Sequence, residues 1–190
     1  MILASQSPRR RELMGLICGE FEVVPARGEE LLPEGISPDK AVLLLSSQKA
    51  NEVSRRLYPD CEIIPDTIIA ADTVVSVDGE ILGKPHSAEN AVEMLRRLSG
   101  RRHSVFTGVT VISGGRTESF AERTEVEFFP LTDEEISKYV ESGDPMDKAG
   151  SYGIQGRGAL LVRRIEGDYY NVMGLPVGEL FRRLREMGAV

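Results

Sequence analysis

The sequence contains no tryptophan, only two histidines and only two cysteines among its 190 residues. Cys18 and Cys61 are too few for a zinc cluster of the Cys-x-x-Cys type and make no disulfide framework. That cysteine usage points to a reducing, cytoplasmic setting. His86 and His103 have no partner at metal spacing and no nucleophile beside them, so both read as surface residues. Long apolar runs are also missing. The longest, Ala41–Leu45, falls far short of the roughly 20 residues that span a bilayer, and no basic segment followed by an apolar stretch opens the chain. Neither membrane association nor a secretory leader is expected. There is no excess of positive charge. The 23 basic residues face 30 acidic ones for a net charge of −7, and aromatics make up 6%. Nucleic-acid binding by a basic face or a stacking platform is therefore not expected. A local cluster of cations can still bind a small anion inside an acidic protein.

What is present is enough to fold. Hydrophobic residues form 41% of the chain, which supplies a core without staples, and residues 1–190 read as one domain. Ile2–Ala4 reads as a short buried strand. Ser7 and Pro8 open a helix to about Leu16. Phe21–Val24 reads as a strand, Pro25–Ile36 as a polar loop, and Ser37-Pro38 as the start of a second helix. Glu62–Ala70 and Thr73–Val77 read as two strands, with a hairpin turn at Asp78-Gly79 leading back through Glu80–Leu82. Ser87 caps a helix that ends at Ser99-Gly100. Ser104–Ile112 and Thr117–Phe129 form a long hairpin around Gly114-Gly115. Thr132 and Glu135 make a capping box for a helix ending near Gly143. Lys148–Gly158 is a glycine-rich loop. Ala159–Ile165 and Tyr169–Val172 read as a last hairpin, and Pro176 opens the final helix. The alternation of strands, hairpins and helices predicts an α/β (mixed α+β) architecture around a mixed sheet.

Four stretches place polar residues against this pattern. Ser5–Arg10 follows the first strand with two hydroxyls, the start of a helix and three consecutive arginines, Arg9–Arg11. Cations at a helix N-terminus oppose the helix dipole, so their concentration there calls for an anion, and the donor density suits a polyphosphate. Asp72 stands alone in an apolar run. A buried, unpaired carboxylate is costly, so it is either a group facing a cleft, fit to serve as a base or metal ligand, or an Asx-turn between two strands. Gly79–Pro85 superficially resembles a phosphate-binding P-loop but is one residue short and ends in proline, so it is not read as one. Lys84 reads as a surface lysine or as a second cation near Asp72. Gln155, in the glycine-rich loop, offers both a donor and an acceptor. Ser5 and Ser7 lack the Gly-x-Ser-x-Gly setting of a hydrolase nucleophile.

Taken together, Ser5-Gln-Ser-Pro-Arg-Arg10, Gln48-Lys-Ala50, Ala71-Asp-Thr73, Gly83-Lys-Pro85 and Asp147-Lys-Ala-Gly-Ser-Tyr-Gly-Ile-Gln-Gly156 resemble, in order, the motifs of the Maf family of nucleoside triphosphate pyrophosphatases. The resemblance runs from Ile2 to about Val177. It implies a two-lobed fold similar to that of inosine triphosphate pyrophosphatases, with the site in a cleft. It also implies cleavage of a nucleoside triphosphate between its α and β phosphates, with a divalent cation, magnesium first and manganese or cobalt as alternatives. By position it makes Asp72 the acceptor of the attacking water's proton. Ser5, Arg9, Arg10, Lys49 and Lys84 become phosphate-binding residues, and Glu30 and Asp72 the metal-holding acids. Arg10, Thr73 and Gln155 look like the branch that takes dTTP and UTP rather than 7-methyl-GTP. A homodimer is compatible with this reading. The competing reading is a nucleotide-binding regulator of cell division acting through a protein partner.

Overall fold

The computed structural model describes residues 1–28 and 31–190. Among the described residues, seven strands form one sheet: β1 (Ile2–Leu3), β2 (Glu22–Val23), β3 (Ile68–Val77), β4 (Glu80–Leu82), β5 (Arg102–Ser113), β6 (Arg116–Phe128) and β7 (Val162–Glu166). Six α-helices among the same residues accompany them: α1 (Pro8–Met14), α2 (Pro38–Leu57), α3 (Ala88–Leu98), α4 (Asp133–Glu141), α5 (Tyr169–Met173) and α6 (Val177–Glu186). The sheet order is β2-β1-β3-β5-β6-β7, with β4 beside β3. β2, β1 and β3 run parallel, and every pairing from β3 to β7 is antiparallel. This is the mixed α/β architecture expected from the sequence.

The period-two alternation of β3 sorts its neighbours by face. Ile68 and Ala70 join Ala50 and Val53 of α2 in a core on one side. On the other side, Ile69 and Ala71 pack with Leu13 and Met14 of α1 and Leu180 and Leu184 of α6. Farther along that second side, Val75, Val77 and Val105 meet Leu95 and Leu98 of α3 and Ile136 of α4. Each such fully buried aliphatic side chain contributes about 1.5–3 kcal/mol. Helices α1 and α6 thus cover one end of that face and α3 and α4 the other. No helix among the described residues is long and apolar enough to cross a membrane.

The caps form as the sequence predicts. Ser7 Oγ accepts from the Arg10 N–H at 3.4 Å, Ser87 Oγ from the Asn90 N–H at 3.1 Å, and Thr132 and Glu135 cap each other's ends of the first turn of α4.

Several expectations need correction. Glu62–Ala70 and Thr73–Val77 are not two strands. Glu62–Thr67 is irregular, and one ten-residue strand, β3, runs unbroken through Asp72. The apolar residues on both sides of Asp72 are buried in the ladder, which removes the Asx-turn alternative. Tyr169–Val172 is not a strand either. Asp168 Oδ1 accepts from the Tyr170 N–H at 2.7 Å and Gly174 closes the turn at φ 111°, making α5 a short helix. The glycine-rich loop contains 3-10 turns at Ala149–Ser151 and Gly156–Leu160. Helix α1 stops at Met14, short of Leu16. His103 is not on the surface; it is 2% exposed, its Nε2 lying 2.7 Å from the Tyr152 hydroxyl.

Candidate active site

The site begins as a gap in the sheet. On one edge of β3, β1 pairs only as far as Ile69, and β4 takes up pairing only at Val75. No strand among the described residues pairs with that edge of β3 between them. The gap exists because the chain leaves β1 at once to start α1, where Pro8 supplies no backbone donor and Ser7 turns to cap the helix. Asp72 and Thr73 lie in this gap, on opposite faces of the strand.

Asp72 is 8% exposed, so its carboxylate requires a partner. Lys49 of α2 supplies it: the ammonium donates to Asp72 Oδ1. The long helix delivers Lys49 because residues 42 and 49 stand two turns apart on one face, and Val42 is buried against the sheet.

From the other side comes the chain around Ser5. Ser5 Oγ accepts from the Ser7 N–H at 3.2 Å and from Arg10 Nη1 at 3.5 Å. Arg10 also donates from Nε to the Gly174 carbonyl at 2.8 Å and from Nη2 to Thr73 Oγ1 at 2.9 Å. Arg9 reaches across to Asp147, 3.3 Å away, while Arg11 is a solvated surface residue. Helix α1 has seven residues and a correspondingly small dipole, so the attraction for an anion rests on the side chains more than on the helix.

Ser5, Arg9, Arg10, Lys49, Asp72, Thr73, Lys84 and Gln155 all line one cleft of about 920 Å³. Lys84 is exposed just beyond β4, and Gln155 is half-buried ahead of its 3-10 turn. Glu30 lies outside the described residues. Asp144, which the sequence had not singled out, also lines the cleft, as do Asp147, Lys148 and Tyr152, which stood within the Asp147–Gly156 motif without a role of their own. Lys148 Nζ donates to Asp144 Oδ1 at 3.0 Å and to Asp147 Oδ1 at 2.7 Å. Burial pushes the Asp147 carboxyl up, but the hydrogen bond from Lys148 and the charge of Arg9 outweigh it and hold the group below the ordinary carboxylate value. Tyr139 ties the same segment down, donating to Asp144 Oδ2 at 2.9 Å and accepting from the Gly153 N–H at 3.1 Å. The signal for these residues was the unusual density of charged groups and glycines between Asp144 and Gly158.

The described lining holds five cations, Arg9, Arg10, Lys49, Lys84 and Lys148, against three carboxylates, Asp72, Asp144 and Asp147. A cleft of net positive charge in a chain of net charge −7 concentrates a small polyanion, and its volume suits a ligand of nucleotide size. No three His, Cys, Asp or Glu side chains among the described residues gather into a metal cage. Magnesium does not require one: it commonly binds through one or two carboxylates together with substrate phosphates. Asp72, the carboxylate deepest in the gap, fits that kind of partial donor set.

Fold and cleft together define an α/β protein built to hold a small anionic ligand at a carboxylate–lysine pair. The chain matches the Maf-like protein family over residues 1–187, and it belongs to that family. The dTTP/UTP pyrophosphatase of Bacillus velezensis is 50% identical over 186 residues, covering 98% of this chain and 95% of that protein. The dTTP/UTP pyrophosphatase of Carboxydothermus hydrogenoformans is 52% identical over 188 residues, covering 98% and 97%. Among solved structures, a HAM1 protein from Coxiella burnetii has a similar fold, with a TM-score of 0.54 at 16% identity, covering 97% of this chain and 98% of that one.

Proposed function

We propose that this protein hydrolyses the bond between the α and β phosphates of dTTP and UTP, giving the nucleoside monophosphate and pyrophosphate. The observation that carries the reading is the meeting of the Asp72–Lys49 pair with Arg9, Arg10 and Lys84 in one cleft. The names of the relatives, at about half identity over nearly the whole chain, support the same substrates.

In this mechanism the cations bind the triphosphate and stabilise charge as it moves onto the leaving pyrophosphate. Water attacks the α phosphorus, its proton passes to Asp72, and the bridging oxygen leaves with the β and γ phosphates. Lys49 holds the carboxylate in one orientation through the approach. A divalent cation, magnesium first and manganese or cobalt as alternatives, would be held by Asp72 together with the phosphates, with Glu30 as a second candidate acid. It would supply charge neutralisation on the phosphate oxygens. Gln155 faces the base: its amide both donates and accepts, as the pyrimidine imide edge requires.

The test is pyrophosphate release from dTTP, UTP, CTP, GTP, ATP and 7-methyl-GTP with magnesium, for the wild type and Asp72→Asn. Strong release from dTTP and UTP is expected, and the variant should lose about 10²–10⁴ in turnover while still binding nucleotide. Preference for 7-methyl-GTP would overturn the substrate assignment, and an active Asp72→Asn would overturn the role of Asp72.

A further inference from the structure

Beneath the cleft four groups form a single file of hydrogen bonds. Arg10 Nη2 donates to Thr73 Oγ1 at 2.9 Å. The hydroxyls of Thr73 and Thr107 lie 2.9 Å apart across the β3–β5 ladder. Thr107 Oγ1 then donates to the Asn171 carbonyl of α5 at 2.9 Å. The two ends set the direction of the whole file, because a guanidinium only donates and a carbonyl only accepts. Each threonine hydroxyl therefore accepts from the arginine side and donates toward Asn171, and such a one-way file reinforces itself in a dry interior.

The file ends on the guanidinium's side edge, formed by Nε and Nη2. Nε is held by the Gly174 carbonyl at 2.8 Å, so both donors of that edge are engaged by the protein. Gly174 has φ 111°, and a Cβ there would sit 3.4 Å from Thr73 Oγ1 and 3.5 Å from Arg10 Nε. The packing at this node leaves little room for the guanidinium to turn. Thr107 itself is fully buried and lies outside the cleft. If it served only as a β-branched filler, valine would do as well.

We infer that Thr107 is a positioning residue for Arg10: acting through the Thr73 hydroxyl, it fixes the plane in which the guanidinium meets the phosphate chain. The inference rests on the nucleotide reading above. Its test uses Thr107→Val and Thr107→Ser, each alone and combined with Arg10→Lys. Two quantities are read: kcat/KM for UTP and dTTP, and affinity for inorganic tripolyphosphate by calorimetry. Thr107→Val should lower both by up to about tenfold, the usual effect of losing one hydrogen bond between neutral groups. Thr107→Ser, which keeps the hydroxyl, should restore them. In the Arg10→Lys background Thr107→Val should cost nothing more, because the group it positions is already gone. Equal losses in both backgrounds, or no rescue by serine, would overturn the inference. If Thr107→Val does not fold, Thr107→Ala set against Thr107→Ser, which differ only by the hydroxyl, makes the same comparison, with the same expectation and the same overturning result. A wild type that binds tripolyphosphate but cleaves no nucleotide overturns the pyrophosphatase reading, and Thr107 is then judged on affinity. A wild type that does neither overturns both.

Discussion

Gly108 lies directly across the β3–β5 ladder from Asp72, and it has no side chain because α2 occupies that space. A Cβ at Gly108 would come within 2.3 Å of the Val42 carbonyl oxygen and 2.8 Å of the Leu43 nitrogen, both backbone atoms of α2. The same helix carries Lys49 to Asp72. The close approach of helix to sheet and the pairing of the buried carboxylate are therefore one feature, set by a glycine that does not itself line the cleft. Gly108→Ala should force α2 outward. Overpacking of this kind costs about 1–3 kcal/mol, which for a chain of this size lowers Tm by roughly 2–12 °C. Because Lys49 moves with the helix, turnover should fall even well below the new Tm. Thermal unfolding and a steady-state assay on one preparation check both.

Lys49→Met removes the ammonium and leaves the methylene stem. The Asp72 side chain is 12% exposed and that of Lys49 18%, so the pair is largely withdrawn from water. Breaking a buried pair on one side typically costs about 3–5 kcal/mol, and the residual exposure here places the effect toward the lower value. The double variant Lys49→Met/Asp72→Asn should recover much of that stability but none of the activity. Urea unfolding of the two single variants and the double variant measures the coupling.

His103 gives the protein an acid sensitivity that sequence position did not show. Burial pulls its imidazole down to about 4 from the ordinary 6.5, with the negative charge of Glu125 opposing only in part. Its contact with the Tyr152 hydroxyl, itself pushed upward by burial, is consistent with a neutral ring. Between pH 6.5 and 4 the unfolded chain binds a proton at this position and the folded chain does not. Stability is therefore fully present above pH 6.5 and falls as the pH drops toward 4, by about 3 kcal/mol in total for this group. His103→Gln should remove this component, so the difference in unfolding free energy between wild type and variant should shrink as the pH is lowered from 7 to 4. A constant difference would show that the imidazole is not held neutral.

Much of this could be read along the chain, because caps and turns are local. Ser7, Ser87, Thr132 and the glycines after β3 and β5 announce their own geometry within a few residues. Asp72 stood out because a carboxylate inside an apolar run needs a partner somewhere, and the positively charged start of α1 stood out because clustered cations there need an anion. What sequence could not supply was which partner. Lys49 is 23 residues from Asp72, Asp147 is 138 from Arg9, and Gly174 is 164 from Arg10. Those pairings follow from the sheet order, not from spacing. The errors have similar causes. Tyr169–Val172 has the aromatic and β-branched composition of a strand, but the cap from Asp168 and the turn at Gly174 override it. His103 carried no local sign of burial, since its surroundings are assembled by Phe128 and Tyr152 from distant segments.

Gln155→Glu tests the reading of the base. A pyrimidine such as uracil or thymine presents an N–H donor flanked by two carbonyl acceptors. The glutamine amide can meet that edge with its oxygen on the N–H and its nitrogen on one carbonyl. A glutamate keeps the first contact but sets a second negative oxygen against the carbonyl. The guanine edge differs, offering two adjacent N–H donors, which suit a carboxylate. Leaving a desolvated hydrogen-bonding group unpaired costs about 1–3 kcal/mol. Gln155→Glu should therefore lower kcat/KM for UTP and dTTP about tenfold or more and raise the relative rate on GTP and 7-methyl-GTP. Gln155 is half-buried in the lining of the cleft, so Tm should change little. The measurement is a competition between UTP and GTP in one reaction, followed by separation of the monophosphates. Equal loss on both substrates would mean that Gln155 does not read the base and that the preference is set elsewhere in the cleft.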